Sequence, residues 1–319
     1  MAMTPLKRPK IACIGAAHWD RLASLASPLK MHQLNSVSTQ RVPSGASLNT
    51  AMDLSVLGFP VKLLSVLGND QEAKELLRAL NQSGVDSGDM ELLDESGTGW
   101  STTLVCDDGN IQFGLADLSL YQALDEAWLK SHLTNLEEWR YWIVDNHVQS
   151  DALEMLCKQA KEVGTQLFAA ADSAALVKNF LPILPALDGL FLNRVEAEIL
   201  LDRELASTKE AKEAASDLLA QGAKLAVITL GPDGLVYGVQ DRSEIRHIET
   251  LPANVVNVSG AGDALTAGTV ASISLGNDID CAIIHGIHAA KASVETFTNV
   301  NQGMTPQLID EFFAKTEAA

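Results

Sequence analysis

Residues 141–171 read YWIVDNHVQSDALEMLCKQAKEVGTQLFAAA, and this stretch decides the fold class. Apolar runs predict strands at residues 141–144 and 166–171, and between them apolar residues recur at helical spacing over residues 150–163. A strand, a helix and a second strand in this order predict two parallel strands, because the helix carries the chain back to the edge where the first strand began.

The same alternation of strands and helices extends in both directions along the chain. Its repetition predicts an α/β fold: a three-layer α/β/α domain with a mostly parallel central sheet and helices on both faces. The other expected strands are residues 10–16, 61–67, 187–192 and 225–230, and the other expected helices are residues 47–58, 70–83, 194–201, 208–221, 261–275, 278–297 and about 306–315.

Two turn signals predict strands of a different kind. The DDGN turn at residues 107–110 separates two apolar runs and predicts a hairpin. Residues 17–43 lack a helical period, so we expect strands and loops outside the main sheet. Residues 17–43 and 98–117 are together expected to form a small β-sheet lid on a single domain that spans residues 1–319. The GPDG turn at residues 231–234 predicts that residues 235–239 return antiparallel.

Composition excludes several classes of function. The 319 residues include 23 Lys and Arg against 41 Asp and Glu, a net charge of −18, which disfavours binding to nucleic acid or to an anionic membrane surface. No apolar run approaches the length of a membrane span, and no secretory signal is expected at the amino terminus. The four cysteines form no CxxC pair, so we expect reduced thiols in a cytoplasmic protein and no zinc site.

The sequence NVVNVSGAGDALTAG at residues 254–268 is the stretch most indicative of chemistry. A β-branched run predicts a strand at residues 255–258 that leads through SGAGD into a helix of small residues. The amides of Gly260, Ala261 and Gly262 can converge on an anion at a helix N-terminus. Asp263 beside that anion can accept the proton of an attacking hydroxyl. Alternatively, Asp263 is only a first-turn acid that the helix dipole stabilises.

Five motifs in the same order resemble those of the PfkB-type, ribokinase-like carbohydrate kinases. The family's Gly-Gly and Asn motif is matched by PSGASLN, its Gly-x-Asp by GND, its Asn-x-x-Glu by NRVE and its Thr-x-Gly-x-x-Gly by TLGPDG; residues 254–268 match its C-terminal signature. Within this family the chain is most similar to the pseudouridine kinases, which share the runs NVSGAGDA and NRxEAE and an Asp-containing segment like residues 116–118.

The resemblance implies a role for each matching residue. Asp263 would be the catalytic base, and the amides of Gly260, Ala261 and Gly262 would stabilise the transferring phosphoryl group. The implied substrate-binding residues are Asp20, Ser44, Gly45, Asn49 and Asp117. The implied ATP-binding residues are Asn193, Thr229, Gly231, Gly234, Ser259 and Asn299, with residues 298–303 lining the adenine pocket. Glu196, together with Asn193, would position Mg²⁺, partly through water.

Plainer explanations stay open for several of these residues. Asp20 could be an ordinary strand-end carboxylate, and Glu196 an acid in the first turn of a helix. Gly231 and Gly234 could serve only a hairpin turn.

Three departures from the family pattern bear on the substrate and the cation. Ser44 replaces the first glycine of the usual pair, and His18-Trp19 precedes Asp20 where Asn and a small apolar residue are frequent. Trp19 could stack on a base or pack under the lid. Asn257 stands where many members carry Asp near a monovalent-cation site, which leaves activation by K⁺ open.

The implied activity is transfer of the γ-phosphate of ATP to a hydroxyl of a sugar or nucleoside. The leading acceptor is the 5′-hydroxyl of pseudouridine; ribose, adenosine or a fructose-type sugar are alternatives within the family. A sugar- or nucleotide-binding protein without activity is the alternative from another class. A lid with an apolar face also predicts a homodimer.

Overall fold

The structure is a computed structural model, and it describes residues 8–25, 29–105 and 111–301. In this part of the chain the strands are β1 (Ile11–Ile14), β2 (His18–Leu25), β3 (Val37–Ser44), β4 (Val61–Leu64), β5 (Val66–Gly68), β6 (Glu91–Leu93), β7 (Trp100–Val105), β8 (Ile111–Asp117), β9 (Tyr141–Asp145), β10 (Gln166–Ala170), β11 (Gly189–Asn193), β12 (Leu225–Thr229), β13 (Leu235–Val239) and β14 (Arg246–Ile248).

Eight α-helices occur in the same described residues. They are α1 (Ala46–Val56), α2 (Gln71–Gln82), α3 (Glu126–His132), α4 (Ser150–Val163), α5 (Arg194–Leu201), α6 (Thr208–Ala220), α7 (Ala261–Ser274) and α8 (Ile279–Val294), and the longest 3₁₀ segment is Ala174–Ala186. No helix among the described residues is long and apolar enough to cross a membrane.

The central sheet has the strand order β14-β13-β12-β11-β10-β9-β1-β4, and only β13 and β14 run antiparallel to their neighbours. Strand β1 shows how three layers form. Ala12 and Ile14 pack into the core that α3 to α6 cover, whereas Ile11 and Cys13 pack into the core that α1, α2, α7 and α8 cover. Strands buried on both faces need nearly continuous apolar runs. The predicted three-layer fold is therefore confirmed.

The order of the strands also predicts where a ligand-binding crevice lies. From β1 the chain first adds β4 on one side of the sheet, and it later adds β9 on the other side. The connections that follow β1 and β9 therefore lead toward opposite edges of the sheet, so the strand order reverses between these two strands. In open α/β sheets ligands bind at such a point, beyond the carboxyl ends of the strands.

A separate four-stranded sheet has the order β3-β2-β7-β8 and comes from the two segments predicted to form the lid. Register places Asp20 opposite Ser101 and Trp19 opposite Trp100, so the two β2 residues lie on opposite faces. Both strands of the predicted hairpin are present, while its DDGN turn lies outside the described residues.

Two sequence expectations differ from the structure, and a third falls outside the described residues. The predicted strand at residues 255–258 does not form, and Val255 and Val256 are exposed. This β-branched run pairs with no described strand; the Val256 amide instead donates to the carbonyl oxygen of Val294 at the end of α8. The predicted strand at residues 61–67 divides into β4 in the central sheet and β5, which pairs with β6. The predicted final helix at residues 306–315 lies outside the described residues.

Candidate active site

The N-terminus of α1 is fastened to the carboxyl ends of β1 and β9. Asp145 accepts hydrogen bonds from the Ala16 amide (2.6 Å) and the Ser47 hydroxyl (2.7 Å). Gly45 caps this helix with φ of 109°, and a Cβ there would lie 2.5 Å from the Ala16 carbonyl oxygen. Only glycine fits so close an approach. The predicted sugar motif is therefore at the crevice.

Asn49 and Asp263 meet across 214 residues of sequence. The Asn49 side chain, in the first turn of α1, donates from Nδ2 to Asp263 Oδ2 at 2.8 Å. Asp263 lies in the first turn of α7, which packs against α1. The structure thus brings the predicted sugar-binding asparagine into contact with the predicted base.

The glycine loop in front of Asp263 has two different glycines. Gly260 has φ of 81°, and a Cβ there would lie 2.3 Å from the Asn299 carbonyl oxygen, so packing explains it. A Cβ on Gly262 would meet nothing within 4 Å in the described chain. The first helical hydrogen bond of α7 runs from the Ala264 amide to the Gly260 carbonyl oxygen, so the Gly262 amide lies in the turn before that bond. The Ala261 amide, by contrast, already donates to the Val258 carbonyl oxygen. Gly262 therefore leaves open space above a helix N-terminus.

Several carboxylates determine the basicity of Asp263. Burial raises its pKa well above the usual range, and the negative charge of Asp172 raises it further. The hydrogen bond from Asn49 lowers it, and Asp145 and Glu196 add smaller increases. A carboxyl with a raised pKa is a stronger proton acceptor once it is ionised, as a general base must be.

Asp20 lies on one face of the small sheet. It is buried and accepts hydrogen bonds from Ser101 Oγ (2.8 Å) and Thr103 Oγ1 (3.0 Å). On the opposite face, Trp19 donates from Nε1 to the Glu72 carbonyl oxygen, and the Arg41 guanidinium lies 4.1 Å from its ring centroid. Trp19 is therefore a packing residue in this structure and does not stack in the crevice.

Asp117 is not brought together with Asp20. Register pairs it with Trp100, on the face that carries Trp19. Its exposed carboxylate accepts from the amide and hydroxyl of Ser119. A substrate contact by Asp117 stays a prediction.

A buried polar network joins His18 of β2 to residues after β9 and β10 through Tyr121, whose ring centroid lies 5.0 Å from that of His147. From the sequence, only His18 of this network was noted. The Ala17 amide donates to the Tyr121 hydroxyl oxygen at 2.8 Å, so the Tyr121 proton points to His18 Nδ1 at 3.1 Å. Burial lowers the pKa of His18 to about 4, although Asp172 opposes the shift, so His18 is neutral. The network therefore assigns the tautomer with hydrogen on Nε2, and strand alternation puts His18 on the Asp20 face.

His147 and Asp172 form the other half of this network. His147 Nε2 lies 3.2 Å from Asp172 Oδ2. Burial lowers the pKa of His147, but the hydrogen bond that it donates to Asp172 and the charge of Asp145 outweigh this effect, so the net shift is upward. Asp145 ends β9 and Asp172 follows β10 by two residues. A polar residue at the carboxyl end of a predicted parallel strand was the signal that would have identified both.

Two of the predicted nucleotide-binding residues, Asn193 and Thr229, are the last residues of β11 and β12. Asn193 and Thr229 are direct neighbours in the parallel ladder. Asn193 and Glu196 form a capping box: Glu196 Oε2 accepts from the Asn193 amide at 2.7 Å, and Asn193 Oδ1 accepts from the Glu196 amide at 2.9 Å. Burial raises the pKa of Glu196 to about 7. No group of three or more His, Cys, Asp or Glu side chains suited to a metal occurs in the described residues.

The two glycines that follow β12 are explained by local structure. Gly231 has φ of 62° in the turn, and a Cβ on Gly234 would lie 2.0 Å from the Ile248 carbonyl oxygen. A nucleotide contact by either residue stays a prediction.

Asn299 connects the sugar side of the crevice to the glycine loop. Its Nδ2 donates to Ser44 Oγ at 3.0 Å, and its Oδ1 accepts from Asn257 Nδ2 at 3.3 Å. Asn257 Oδ1 in turn accepts from the Ser259 amide. The Ser44 hydroxyl, which replaces the usual glycine, therefore serves as the acceptor that holds the Asn299 side chain. Asn257 is thus a neutral amide that accepts from its own loop and donates to the segment around Phe297 and Asn299.

Comparison with known proteins assigns the family. A model of the pfkB family of carbohydrate kinases matches residues 8–302. The chain belongs to this family. It is 25% identical to the guanosine-inosine kinase of Exiguobacterium acetylicum, covering 94% of this chain and 98% of that protein. It is 26% identical to the pseudouridine kinase of Escherichia coli (strain K12), covering 81% and 82%.

A solved carbohydrate kinase from Agrobacterium tumefaciens is similar in structure as well, with a TM-score of 0.80, 26% identity and coverage of 96% of this chain and 97% of that chain. These findings confirm the predicted family and fold. The chain is an ATP-dependent sugar or nucleoside kinase.

Proposed function

We propose that this kinase phosphorylates the hydroxymethyl group of a ribosyl compound, and that its acceptor is the 5′-hydroxyl of pseudouridine. The observation that carries the proposed chemistry is the contact between Asn49 and Asp263 beside the open position above Gly262. Asp263 is held by Asn49, a predicted sugar-binding residue, and lies next to the Gly262 amide at the N-terminus of α7. This arrangement suits attack of a hydroxyl on a phosphoryl group.

The small sheet supplies complementary groups for a ribose diol. Asp20 offers a carboxylate acceptor, and neutral His18 offers its Nε2–H donor on the same face. A sugar hydroxyl donates one hydrogen bond and accepts others, so neighbouring hydroxyls can use both partners. Ring hydroxyls held there would leave the hydroxymethyl group for Asp263. The lid role of the small sheet is part of this proposal, since closure would exclude water from the transfer.

In the proposed step the acceptor oxygen attacks the γ-phosphorus of ATP while Asp263 takes the hydroxyl proton. The bond from phosphorus to the bridging oxygen breaks, and ADP leaves with that electron pair. The Gly262 amide and the α7 N-terminus stabilise the transferring phosphoryl oxygens. Glu196 and Asn193 would hold Mg²⁺ mainly through the phosphates and water, because Glu196 is buried and the described residues offer no cluster of three or more metal-ligating side chains. Such an ion would neutralise phosphate charge.

The choice of pseudouridine among ribosyl acceptors rests on the runs NVSGAGDA and NRVEAE and on the similarity to a pseudouridine kinase. Guanosine or inosine is the second candidate, favoured by the match to a guanosine-inosine kinase over nearly the full length of both proteins. Ribose is the third. The purified protein should be assayed for ATP consumption with pseudouridine, uridine, guanosine, inosine, ribose, adenosine and fructose.

Turnover with pseudouridine and none with free hexoses would support the proposal. Turnover with a hexose alone would refute the ribosyl assignment. ATP binding without turnover on any acceptor would favour an inactive binding protein.

We also propose that two copies pair in the cytoplasm through the exposed β7 and β8 part of the small-sheet face that carries Trp100 and Leu115. Trp100, Phe113 and Leu115 are exposed there together and lie on adjacent strands. Light scattering after gel filtration should give twice the chain mass for the wild type and the monomer mass for Leu115→Asp. A wild-type monomer at micromolar concentration would refute the pairing.

A further inference from the structure

The buried side of α1 carries a carboxyl group that the proposed transfer does not use. Asp53 is 0% exposed. Within the described residues neither of its oxygens has a hydrogen-bond partner, and Asn49 Oδ1 has none either. An ionised carboxylate in such a place is strongly destabilised, because nothing replaces its lost hydration. A protonation state that gives these oxygens hydrogen-bond partners is therefore favoured.

Asp53 follows Asn49 by one helical turn. Residues four apart on a helix share a face, with Cβ atoms about 5–6 Å apart. Burial raises the pKa of Asp53 well above its usual range, and the negative charge of Asp263 on α7 raises it further. A neutral carboxyl has an O–H donor, whereas Asn49 Oδ1 can only accept. Two unpartnered acceptors thus become a donor and an acceptor when Asp53 holds a proton.

We propose that Asp53 is a positioning residue for phosphoryl transfer: its protonated carboxyl donates to Asn49 Oδ1 and so keeps Asn49 Nδ2 directed at Asp263. An amide turned by half a rotation would place Oδ1 against the Asp263 carboxylate, two acceptors in contact. The O–H of Asp53 makes that orientation unfavourable. The proton stays on Asp53 throughout, and the inference rests on the proposed function only in treating Asp263 as the base.

Two variants separate positioning from packing. Asp53→Leu removes the donor and keeps the volume, so kcat should fall roughly 10- to 100-fold, the cost of misplacing a reacting group by about 1 Å. The KM for ATP should be little changed, and thermal unfolding should not occur at a lower temperature because an apolar side chain replaces a buried polar one. Asp53→Asn supplies an N–H donor to Asn49 and should keep kcat within about threefold of the wild type.

A packing role predicts the reverse order, with leucine tolerated. Wild-type kcat in Asp53→Leu, or equal loss in both variants, would overturn the proposal. In an Asn49→Ala background, Asp53→Leu should cost nothing further in kcat, because the group that it positions is gone. A full additional loss in that background would also overturn it.

Infrared spectroscopy tests the inference without turnover. The difference spectrum of wild type minus Asp53→Asn at neutral pH should contain the carbonyl band of a protonated carboxyl group. A carboxylate band in its place would overturn the proposal, whatever the acceptor. If the wild type phosphorylates no ribosyl compound, the proposed function fails, and this measurement still decides the state of Asp53.

Discussion

Replacing Asn49 with alanine should change the pH dependence of the kinase in a defined direction. Asn49 Nδ2 donates to Asp263 Oδ2 at 2.8 Å, and such a bond favours the ionised carboxylate. A hydrogen bond to a charged group contributes about 1.5–3 kcal/mol, and one pKa unit corresponds to about 1.36 kcal/mol. Asp263 is half-buried, and screening by solvent favours the lower end of this range, so loss of the bond should raise the pKa of Asp263 further.

The direction in which the pH profile moves follows from which form of Asp263 is active. Asp263 accepts a proton only when it is ionised, so a higher pKa moves the acidic limb of the kcat profile to higher pH. The carboxyl groups of Asp172, Asp145 and Glu196 stay in place in the variant, and each of them also raises the pKa of Asp263. At pH values below the acidic limb, kcat of the variant should therefore be about tenfold lower than kcat of the wild type. At pH values above the limb, the difference in kcat should narrow.

The assay is kcat at saturating ATP and acceptor across the pH range in which the protein stays folded. Thr50→Val is the matched control, because the Thr50 hydroxyl is buried in the same helix and has no partner in the part of the chain described. It should leave the limb in place. An unmoved limb in Asn49→Ala, or an equal movement in both variants, would refute the proposed coupling of Asn49 to the base.

Three further results are expected. Asp263→Asn should lower kcat by about 10²- to 10⁴-fold, the usual contribution of a general base, while calorimetry shows ATP binding intact; near-normal turnover would rule out the base. Gly260→Ala should destabilise the fold by about 1–2 kcal/mol from its left-handed backbone alone, with more from the contact to Asn299, whereas Gly262→Ala should unfold like the wild type and yet lose kcat. Asp20→Ala should raise the acceptor KM at unchanged ATP KM; an unchanged acceptor KM would place the sugar elsewhere.

The sequence was most informative where a pattern has one structural solution. Buried parallel strands need long apolar runs, so the repeated strands and helices predicted the three layers. It was misleading at residues 255–258, because a β-branched run becomes a strand only beside a free sheet edge. It also missed α3 and β14, because elements of 7 and 3 residues are too short to show a period.

Some residues of the site could be identified from sequence motifs, and others only from the structure. Motifs pointed to Asp263, Asn49 and Gly45, and the structure brings all three to the same crevice. Asp145 and Asp172 belong to no motif considered from the sequence. Their importance arises from where neighbouring parallel strands end, which depends on pairing between distant segments.

The sequence by itself determined the fold class, the family and the position of the glycine loop, because these depend on local periodicity and on short ordered motifs. Only the tertiary structure decided what each side of β2 contacts, and with it the separate environments of Trp19 and Asp20. Only the packing of α1 against α7 decided that Asn49 reaches Asp263 and that Asp53 lies buried behind it. A pKa is a property of such surroundings, so the protonation of the site could not be read from the chain alone.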